Sequence, residues 1–490
     1  MDQFTTKQIR NVVFMAHSGA GKTSLAEAML FATKAVSRPG RVEDGNTVSD
    51  FEPEEHRRQT SLQLAIVPTV WKGTKINVID TPGYADFVGE TQSALRAADA
   101  AVLVVSAPSG IEVGAEIAWQ RLRNLGKPII VFINKMDREH ADYDSTMAQI
   151  RSVLGNRCAA INLPIGAEAS FSGVTSLLGG DTPADLQSTA NSAKDQLAEA
   201  VAETSDELTM KFLEEGELSD EEIARGLHDG VRSGAVVPVL VGSAGSGGGI
   251  EELMDAIVSY APAPDEVGPI QASKGETALE LTADSDGPLA AFIFKTTADP
   301  FVGKLSFFRL ASGTLSANSE VFDSRTGESE RIGQVFVPIG KNHESVPQLV
   351  AGDIGSVSKL AHAVTNDTLT TKANPISLQA IDFSEPIFRV AVHPKSKADL
   401  EKLSSSLARL VEEDPSLHLS RDLSTAELIV AGMGDTHVEV MAERAKRKFG
   451  VELELAAPRV PYKETISKVT NVEYKHKKQS GGHGQYGHVH

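Results

Sequence analysis

The chain has 490 residues, and its 66 acidic and 47 basic side chains give a formal net charge of −19. This length predicts about three domains at roughly 150 residues each, and the acidic balance disfavours a general nucleic-acid binder. The lone cysteine, Cys158, excludes an intramolecular disulfide and a cysteine metal cluster and fits a reducing cytoplasm. No secretory signal opens the sequence, and no apolar run approaches the roughly 20 residues of a membrane span.

Strands and helices are predicted to alternate through the first 265 residues. Short apolar runs predict strands at 11–15, 75–79, 100–106, 127–133 and 236–241, and apolar residues at helical spacing predict helices at 22–32, 114–125 and 250–260. Such alternation predicts an α/β domain whose mostly parallel sheet carries helices on both faces. Residues 158–235 break the order with a glycine-rich stretch and an acidic helical stretch, so we predict an insertion there.

The pattern changes after residue 265. A Pro-containing run at 261–264 and the polar residues after it predict a linker over 266–286. Short β-rich runs separated by glycines predict a β-barrel domain over 287–375. Residues 384–460 follow the order β-α-β-α-β, with helices at 397–413 and 436–449, which is typical of an α+β split βαβ sandwich. Residues 461–490 begin a further unit.

A glycine-containing loop lies between the first predicted strand and the first helix. Its order is Ala16-His17-Ser18-Gly19-Ala20-Gly21-Lys22-Thr23, followed by Ser24, and it matches a phosphate-binding loop except that alanine replaces the first glycine. Backbone N–H groups of such a loop bind phosphates, while Lys22 neutralises the β- and γ-phosphates and the Thr23 hydroxyl binds Mg²⁺. The alternative is a chance glycine turn, which an eight-residue match disfavours.

A second motif, Asp80-Thr81-Pro82-Gly83, follows a later predicted strand. Asp80 is expected to be a carboxylate near Mg²⁺, and the Gly83 amide can approach the γ-phosphate because no side chain blocks it. The charged stretch 50–66 is predicted as a mobile switch loop that offers one hydroxyl to Mg²⁺ when the γ-phosphate is present. Ser61 is favoured over Thr60 for this role, and a plain solvated loop is the alternative.

The third motif, Asn134-Lys135-Met136-Asp137, ends an apolar run. Asp137 can accept from guanine N1–H and from the N2 amine, which are donors that adenine lacks, so adenine would leave the carboxylate unpaired. The Lys135 stem can lie over the base, and Ser243-Ala244 would complete the pocket from the backbone. A helix cap is the alternative for this tetrapeptide alone. Together the three motifs predict a site for GTP or GDP with Mg²⁺.

These motifs resemble those of the translational GTPases, and later stretches narrow the resemblance to elongation factor G. The family reads AHIDAGKT and DTPGHVDF where this chain has AHSGAGKT and DTPGYADF. The likeness continues at 298–305 (ADPFVGKL), 312–315 (SGTL), 432–440 (GMGDTHVEV) and 481–489 (GGHGQYGHV), so it spans nearly the whole chain. It implies a monomeric cytoplasmic GTPase, stimulated by the ribosome, that moves tRNA and mRNA and does not act at membranes.

By this resemblance the chain would hold a GTPase domain, the barrel, the sandwich and the start of a fourth domain. The remainder of the fourth domain and a fifth would be missing, which we interpret as truncation. Contact with the GTPase centre of the ribosome, through its RNA and proteins, is then expected, whereas contact with tRNA and mRNA is expected only of a full-length protein. Five lysines and four histidines against two glutamates in 462–490 make this end the place to expect any RNA contact, although composition alone favours a solvated charge run.

Two departures from the family concern catalysis. Tyr84 replaces the family's histidine beside the attacking water, and Gly19 replaces its phosphate-loop aspartate. A phenol, with a pKa of about 10, can hydrogen-bond water but carries no positive charge at neutral pH. Both changes favour the divergent second class of elongation factor G-like proteins, with Lys22 and Tyr84 as the expected catalytic residues. The alternative is a slow-hydrolysing, nucleotide-gated ribosome ligand with a regulatory, recycling or ribosome-protecting role.

Overall fold

A computed structural model of the chain describes residues 3–299, 303–479 and 481–490. Within these ranges, no helix combines the length and the apolarity needed to cross a membrane. The N-terminal unit contains the strands β1 (Ile9–Met15), β2 (Ala65–Trp71), β3 (Thr74–Asp80), β4 (Ala100–Ser106), β5 (Ile129–Asn134), β6 (Cys158–Ala160), β7 (Asn162–Ile165), β8 (Gly173–Ser176) and β9 (Val237–Val241). Its helices are α1 (Lys22–Ala32), α2 (Pro53–Arg58), α3 (Val88–Ala97), α4 (Val113–Asn124), α5 (Tyr143–Leu154), α6 (Gln187–Ala202), α7 (Asp206–Glu215), α8 (Asp220–Ser233) and α9 (Ile250–Tyr260).

Seven of these strands form one sheet in the order β2-β3-β1-β4-β5-β9-β6, and all neighbours are parallel except β2 and β3. Successive residues of a strand face opposite sides. Val13 and Met15 therefore join an apolar core with α3, α4 and α5, whereas Val12 and Phe14 join a second core with α1 and α9. The predicted α/β fold, with helices on both faces of a mostly parallel sheet, is confirmed.

The structure corrects three details of this unit. The antiparallel edge strand β2 was not predicted. The insertion predicted from residue 158 begins too early, because β6 pairs in parallel with β9 inside the main sheet. The acidic helical stretch at 190–227 is divided among α6, α7 and α8, whose apolar residues, such as Leu197 and Ile223, pack into the same core as α1 and α9.

The second unit contains the strands β10 (Ile270–Lys274), β11 (Thr277–Leu281), β12 (Ala290–Asp299), β13 (Gly303–Ser312), β14 (Thr314–Ser316), β15 (Glu320–Asp323), β16 (Ser329–Arg331), β17 (Val335–Ile339), β18 (Asn342–Val346), β19 (Gln348–Val350), β20 (Ile354–Ser358), β21 (Thr368–Thr370) and β22 (Ser377–Leu378). Eight of them form an antiparallel sheet in the order β16-β15-β21-β12-β13-β20-β17-β18 around one apolar core. This is the predicted β-barrel in open form. The linker predicted over 266–286 is instead structured, since β10 and β11 form a hairpin that β22 extends.

Buried polar groups join the second unit to the main sheet, and we call this contact the barrel interface. The Lys75 ammonium donates to both carboxylate oxygens of Asp353, at 2.8 and 2.9 Å, with both side chains almost fully buried. Asn77 donates to the same carboxylate at 3.1 Å. A second buried ion pair joins Arg309 to Asp99 at 2.8 Å. Buried charges that lose their partner are costly, so these pairs hold the two units together.

The third unit consists of β23 (Phe388–Pro394), α10 (Lys397–Glu413), β24 (His418–Arg421), β25 (Leu428–Gly432), α11 (Asp435–Phe449) and β26 (Leu453–Ala456). Its sheet has the order β24-β25-β23-β26, so the predicted α+β sandwich is confirmed with one additional strand, β24. The hairpin of β27 (Tyr474–Gln479) and β28 (Gly484–Val489) follows, and its described residues are exposed. Residues 300–302 of the predicted 298–305 motif lie outside the described residues.

Candidate functional site

The loop between β1 and α1 has a backbone that glycine permits. Gly19 and Gly21 adopt φ angles of 81° and 97°, in the left-handed region that other residues rarely enter. Gly21 also precedes the first residue of α1 and faces Asn134 so closely that a Cβ there would lie 2.5 Å from the Asn134 amide nitrogen. The first N–H groups of α1 have no partner within the helix, so this end of α1 can bind an anion.

The first three motifs converge on one groove. Its volume is about 760 Å³, and its lining includes Ser18, Gly19, Gly21, Lys22, Thr23, Ser24, Ser61, Gly83 and Lys135. Ala16, Ala20 and Met136 are buried in the apolar cores instead, so the Met136 side chain serves packing. His17 faces the start of α4, where its Nδ1 accepts from the Gly114 N–H at 3.2 Å.

Lys22 is a buried cation that has no carboxylate partner among the described residues. Its side chain is 6% exposed, and its ammonium is 3.5 Å from the His17 carbonyl oxygen. Burial lowers the pKa of Lys22, and the charges of Asp80 and Asp50 oppose that shift from a distance. Within the described ranges no carboxylate oxygen lies within 4.0 Å of its nitrogen. An anionic ligand in the groove would supply the missing counter-charge.

Two hydroxyls and two carboxylates meet beside Lys22. The Thr23 hydroxyl donates to Asp80 Oδ2 at 2.7 Å and lies 3.1 Å from the Ser61 hydroxyl. The other Asp80 oxygen and one oxygen of Asp50 are buried without any hydrogen-bond partner. Burial raises the pKa of Asp80, and burial together with the charge of Asp80 raises the pKa of Asp50 to about 7. A divalent cation would stabilise both carboxylates in their ionised form.

These groups fit Mg²⁺ bound with a nucleotide. Among the described residues no group of three or more His, Cys, Asp or Glu side chains is arranged to hold a metal ion by itself. Mg²⁺ prefers oxygen ligands and commonly combines few protein groups with substrate phosphates and water. Thr23 and Ser61 can supply hydroxyl oxygens, and the unpaired oxygens of Asp80 and Asp50 can accept from water around the ion.

The turn after β3 lies against the phosphate loop. Thr81 donates to the Phe14 carbonyl at 2.6 Å, which ties the turn to β1. A Cβ on Gly83 would lie 2.7 Å from Ser18 Cα and 2.9 Å from Lys22 Nζ, so only glycine fits this approach. Tyr84, the predicted catalytic residue, lies beside the groove with 48% of its surface exposed and is absent from the residues that line the groove.

The third motif is organised by hydrogen bonds to two other loops. Asn134 Nδ2 donates to the Ala20 carbonyl at 3.0 Å, and its Oδ1 accepts from the Ala244 N–H at 2.9 Å. The Lys135 ammonium donates to the Gly19 carbonyl at 2.6 Å, so the Lys135 stem spans the groove. The Ser243 hydroxyl donates to Asp137 Oδ1 at 2.5 Å. Ser243 and Ala244 therefore contact the Asn134–Asp137 motif directly.

Sequence reasoning missed several residues of this site. Asp50 was included in the charged switch stretch, but its buried carboxylate was not foreseen because the local pattern does not distinguish the buried Asp50 and Glu55 from exposed charged residues such as Arg57. Gln59, Ser106, Ser109 and Arg138 also line the groove. The loop after β4, which carries Ser106 and Ser109, could have been found, since a parallel sheet brings the carboxyl ends of adjacent strands to one edge.

The charged stretch beside the site contacts α11, and we call this contact the switch interface. Arg58 Nη2 donates to Glu443 Oε1 at 3.0 Å, Arg57 pairs with the same carboxylate, and Arg447 Nε donates to Glu54 at 2.8 Å. Apolar residues lie beneath these pairs in a small cluster of Leu62, Phe87 and Val440. Segments on both sides of the phosphate groove therefore touch the third unit.

Comparison with known proteins covers the described units and the chain end. Four family models match: "Elongation factor Tu GTP binding domain" at residues 7–263, "Elongation factor G domain 2" at 288–372, "Elongation Factor G, domain III" at 383–457 and "Elongation factor G, domain IV" at 458–490. A similar solved structure is the crystal structure of the protein ttk003000868 from Thermus thermophilus. It is 34% identical in sequence, its TM-score is 0.86, and the match covers 99% of this chain and 72% of that chain.

Proposed function

The chain belongs to the elongation factor G family of translational GTPases, and from that premise we propose that it binds GTP with Mg²⁺ and hydrolyses it when bound to the ribosome. The observation that carries this proposal is the buried charge pattern of the phosphate groove. Among the described residues Lys22 has no carboxylate in ion-pair contact, while Asp80 and Asp50 hold unpaired oxygens beside the Thr23 and Ser61 hydroxyls. A magnesium-bound triphosphate supplies the missing partner to both sets.

Each group has a role in this proposal. Lys22 and the N–H groups of the loop bind the phosphates and stabilise the charge that develops on them, and the Gly83 amide contacts the γ-phosphate. Thr23 and Ser61 would hold Mg²⁺, which would supply positive charge to neutralise the phosphates. Asp137 accepts from guanine, while Ser243 fixes its carboxylate. Tyr84 orients the attacking water as a hydrogen-bonding partner that carries no positive charge.

The partner and the setting follow from the same premise. We propose a monomeric protein that acts in the cytoplasm, where it contacts the RNA and proteins of the ribosomal GTPase centre. We also propose that it serves the translocation step and belongs to the divergent second class, in which Tyr84 and Gly19 replace the usual histidine and aspartate. Contact with tRNA and mRNA would involve the units that follow the sandwich.

Phosphate release from GTP with and without ribosomes tests hydrolysis. We expect release above the intrinsic rate when ribosomes are added, and loss of that stimulation with ATP. In the variant Asp137→Asn, GTP affinity should fall about 100-fold because two charge-assisted hydrogen bonds to the base are lost. An unchanged unfolding midpoint is the control for folding. Equal affinity for ATP and GTP in the parent chain would remove the guanine assignment.

The exposed position of Tyr84 favours a second candidate function, a nucleotide-gated ribosome ligand that hydrolyses GTP slowly. The variant Tyr84→His separates the two. A rise in ribosome-stimulated turnover by orders of magnitude at constant GTP affinity would show that the parent chain is adapted to slow hydrolysis. A fall in turnover would identify Tyr84 as a working catalytic residue and support the first function.

A further inference from the structure

A second groove lies where the N-terminal unit meets the second unit, and it shares no lining residue with the phosphate groove. Its volume is about 810 Å³, and its walls are α3 and α4 on one side and residues 269–271 and 379–382 on the other. Gln92 on α3 fixes the second wall, since it donates to the Asp382 carbonyl at 2.8 Å and accepts from the Ser384 N–H at 3.2 Å. The groove is therefore built into the contact between the units.

Three cations line this groove, and none of them has a carboxylate partner in the part of the chain that the structure describes. Within the described part of the chain, no carboxylate oxygen lies within 4.0 Å of the side-chain nitrogens of Arg96, Arg121 or Lys127. Arg96 donates to the Gln379 carbonyl at 3.3 Å and lies over the Phe292 ring, 4.4 Å from its centroid. Lys127 donates to the Ala98 carbonyl at 2.5 Å, so both cations contact neutral groups. Asp382 is the single acidic residue among the described lining residues.

Burial makes the charged forms of these side chains costly, and a bound anion would offset that cost. Burial lowers the pKa of Lys127 to about 8 and that of Arg96 to about 10. The nearby Asp99 is already paired with Arg309 at 2.8 Å. The chain as a whole carries a net charge of −19, so a concentration of unpaired cations at one contact between units is a local exception. Carboxylates bind arginine strongly because both partners are charged and their geometries match.

Apolar side chains accompany the cations. Ile117 and Leu125 on the α4 side are about half exposed, at 51% and 54%. Leu95 and Ile381 also line the groove. Such a mixture suits an extended polypeptide, whose apolar side chains bury against the walls while its acidic side chains pair with the cations.

We propose that this groove binds a short acidic segment of another protein, whose carboxylates pair with Arg96, Arg121 and Lys127 and whose apolar side chains pack on Ile117 and Leu125. Three cations are few for a groove that follows a nucleic-acid backbone, and no aromatic ring is present among the described lining residues to stack on a base. Both observations favour a peptide over RNA.

The test uses a short fluorescein-labelled peptide of glutamate and leucine, and its binding to the whole chain is followed by fluorescence anisotropy. We expect binding that weakens with salt, and no binding of a peptide with glutamine in place of glutamate. The variant Arg121→Glu should weaken binding by at least about tenfold, because an attraction becomes a repulsion. The Arg121 side chain makes no hydrogen bond to another described residue, so its replacement should leave the fold intact.

Two controls give each outcome a meaning. The variant Lys34→Glu makes the same charge change at an exposed lysine outside the groove and should bind the peptide as the parent does. A fluorophore on Asn124→Cys reports binding at the groove directly, since the native Cys158 is buried. Equal peptide affinity in Arg121→Glu and the parent, or tighter binding of oligouridylate than of the peptide, would overturn the proposal. GTP affinity is measured in parallel and should not change, so the result does not depend on the proposed function.

Discussion

The barrel interface and the switch interface both attach a further unit to the N-terminal unit, but they do so with different chemistry. At the barrel interface the charged partners Lys75 and Asp353 are 1% and 5% exposed. At the switch interface Arg57 and Arg58 remain 60% and 26% exposed where they pair with Glu443. Water and salt can therefore reach the pairs of Arg57 and Arg58 with Glu443 but not the pair of Lys75 with Asp353.

This difference in burial predicts a difference in permanence. Removing one partner of a buried pair leaves an uncompensated charge, whereas an exposed pair can exchange its partner for water at small cost. The barrel interface is expected to hold in every nucleotide state. The switch interface belongs to the segment that carries Ser61, so we expect it to form and release with the occupancy of the phosphate groove.

The largest expected effect is at the barrel interface. The variant Asp353→Ala leaves the Lys75 ammonium buried without a partner and deprives Asn77 of an acceptor. The N-terminal unit should lose about 3–5 kcal/mol of stability. Urea unfolding followed by tryptophan fluorescence measures this, since both tryptophans, Trp71 and Trp119, lie in that unit.

A double variant tests whether stability requires the ion pair itself or only the absence of an unpaired buried charge. Lys75→Met with Asp353→Leu removes both charges, so most of the lost stability should return. A single Asp353→Ala variant that unfolds at the same urea concentration as the parent would contradict the assignment of this contact as the permanent one.

The sequence predicted helices α1, α4, α9, α10 and α11 and most strands of the main sheet because their signals are local, whereas α2, α3 and α5 were not predicted. Helices α1, α9 and α10 begin and end where apolar spacing and capping residues place them; Ser396, for example, accepts from the Asp399 N–H at the start of α10. The strand β2 was missed because Pro68 interrupts it. Proline is tolerated in β2 since this strand lies at the edge of the sheet, a position that the local sequence does not reveal.

The candidate site was predicted only in part, because sequence motifs are local and contacts between units are not. Motifs at fixed spacing identified Lys22, Asp80 and Asp137, which the structure brings to one edge of the sheet. Asp50 was not separated from its neighbours, and neither interface was foreseen. Lys75 and Asp353 are 278 residues apart in the chain, and no periodic pattern links two such residues. Burial of a charge is decided by packing between units, which local reasoning does not reach.

The pH dependence of stability tests the buried carboxylate of Asp50, which lies in the same charged stretch as Arg57 and Arg58. The pKa of Asp50 is raised from 3.8 to about 7 by burial and by Asp80, with Glu27 adding to the shift and His56 opposing it. The folded chain thus holds a proton that the unfolded chain releases, so the stabilisation is present near pH 4 and is lost as pH rises towards 7. Without nucleotide, stability should fall across this window.

The variant Asp50→Asn should reduce that pH dependence. At pH 8 it should be more stable than the parent by an amount on the order of 2 kcal/mol, and at pH 4 the two should be similar. Glu55, whose pKa is raised to about 8, will retain part of the slope. Asp44→Asn changes an exposed carboxylate that precedes the charged stretch and should follow the parent. If Asp50→Asn also follows the parent at every pH, Asp50 is not the group that titrates.

The smallest effect is expected from Glu443→Gln, which removes the carboxylate charge that Arg57 and Arg58 share at the switch interface. Exposed ion pairs contribute about 0.2–1 kcal/mol, so the nucleotide-free chain should lose less than about 1 kcal/mol, and raising the salt concentration should erase the difference. Glu412 forms an ion pair of 2.6 Å with Lys304, outside the switch interface. Glu412→Gln is therefore a matched control for the loss of one carboxylate. A loss of stability as large as that of Asp353→Ala would mean that the switch interface is as permanent as the barrel interface. The proposal that the contact with α11 is released with the nucleotide would then be wrong.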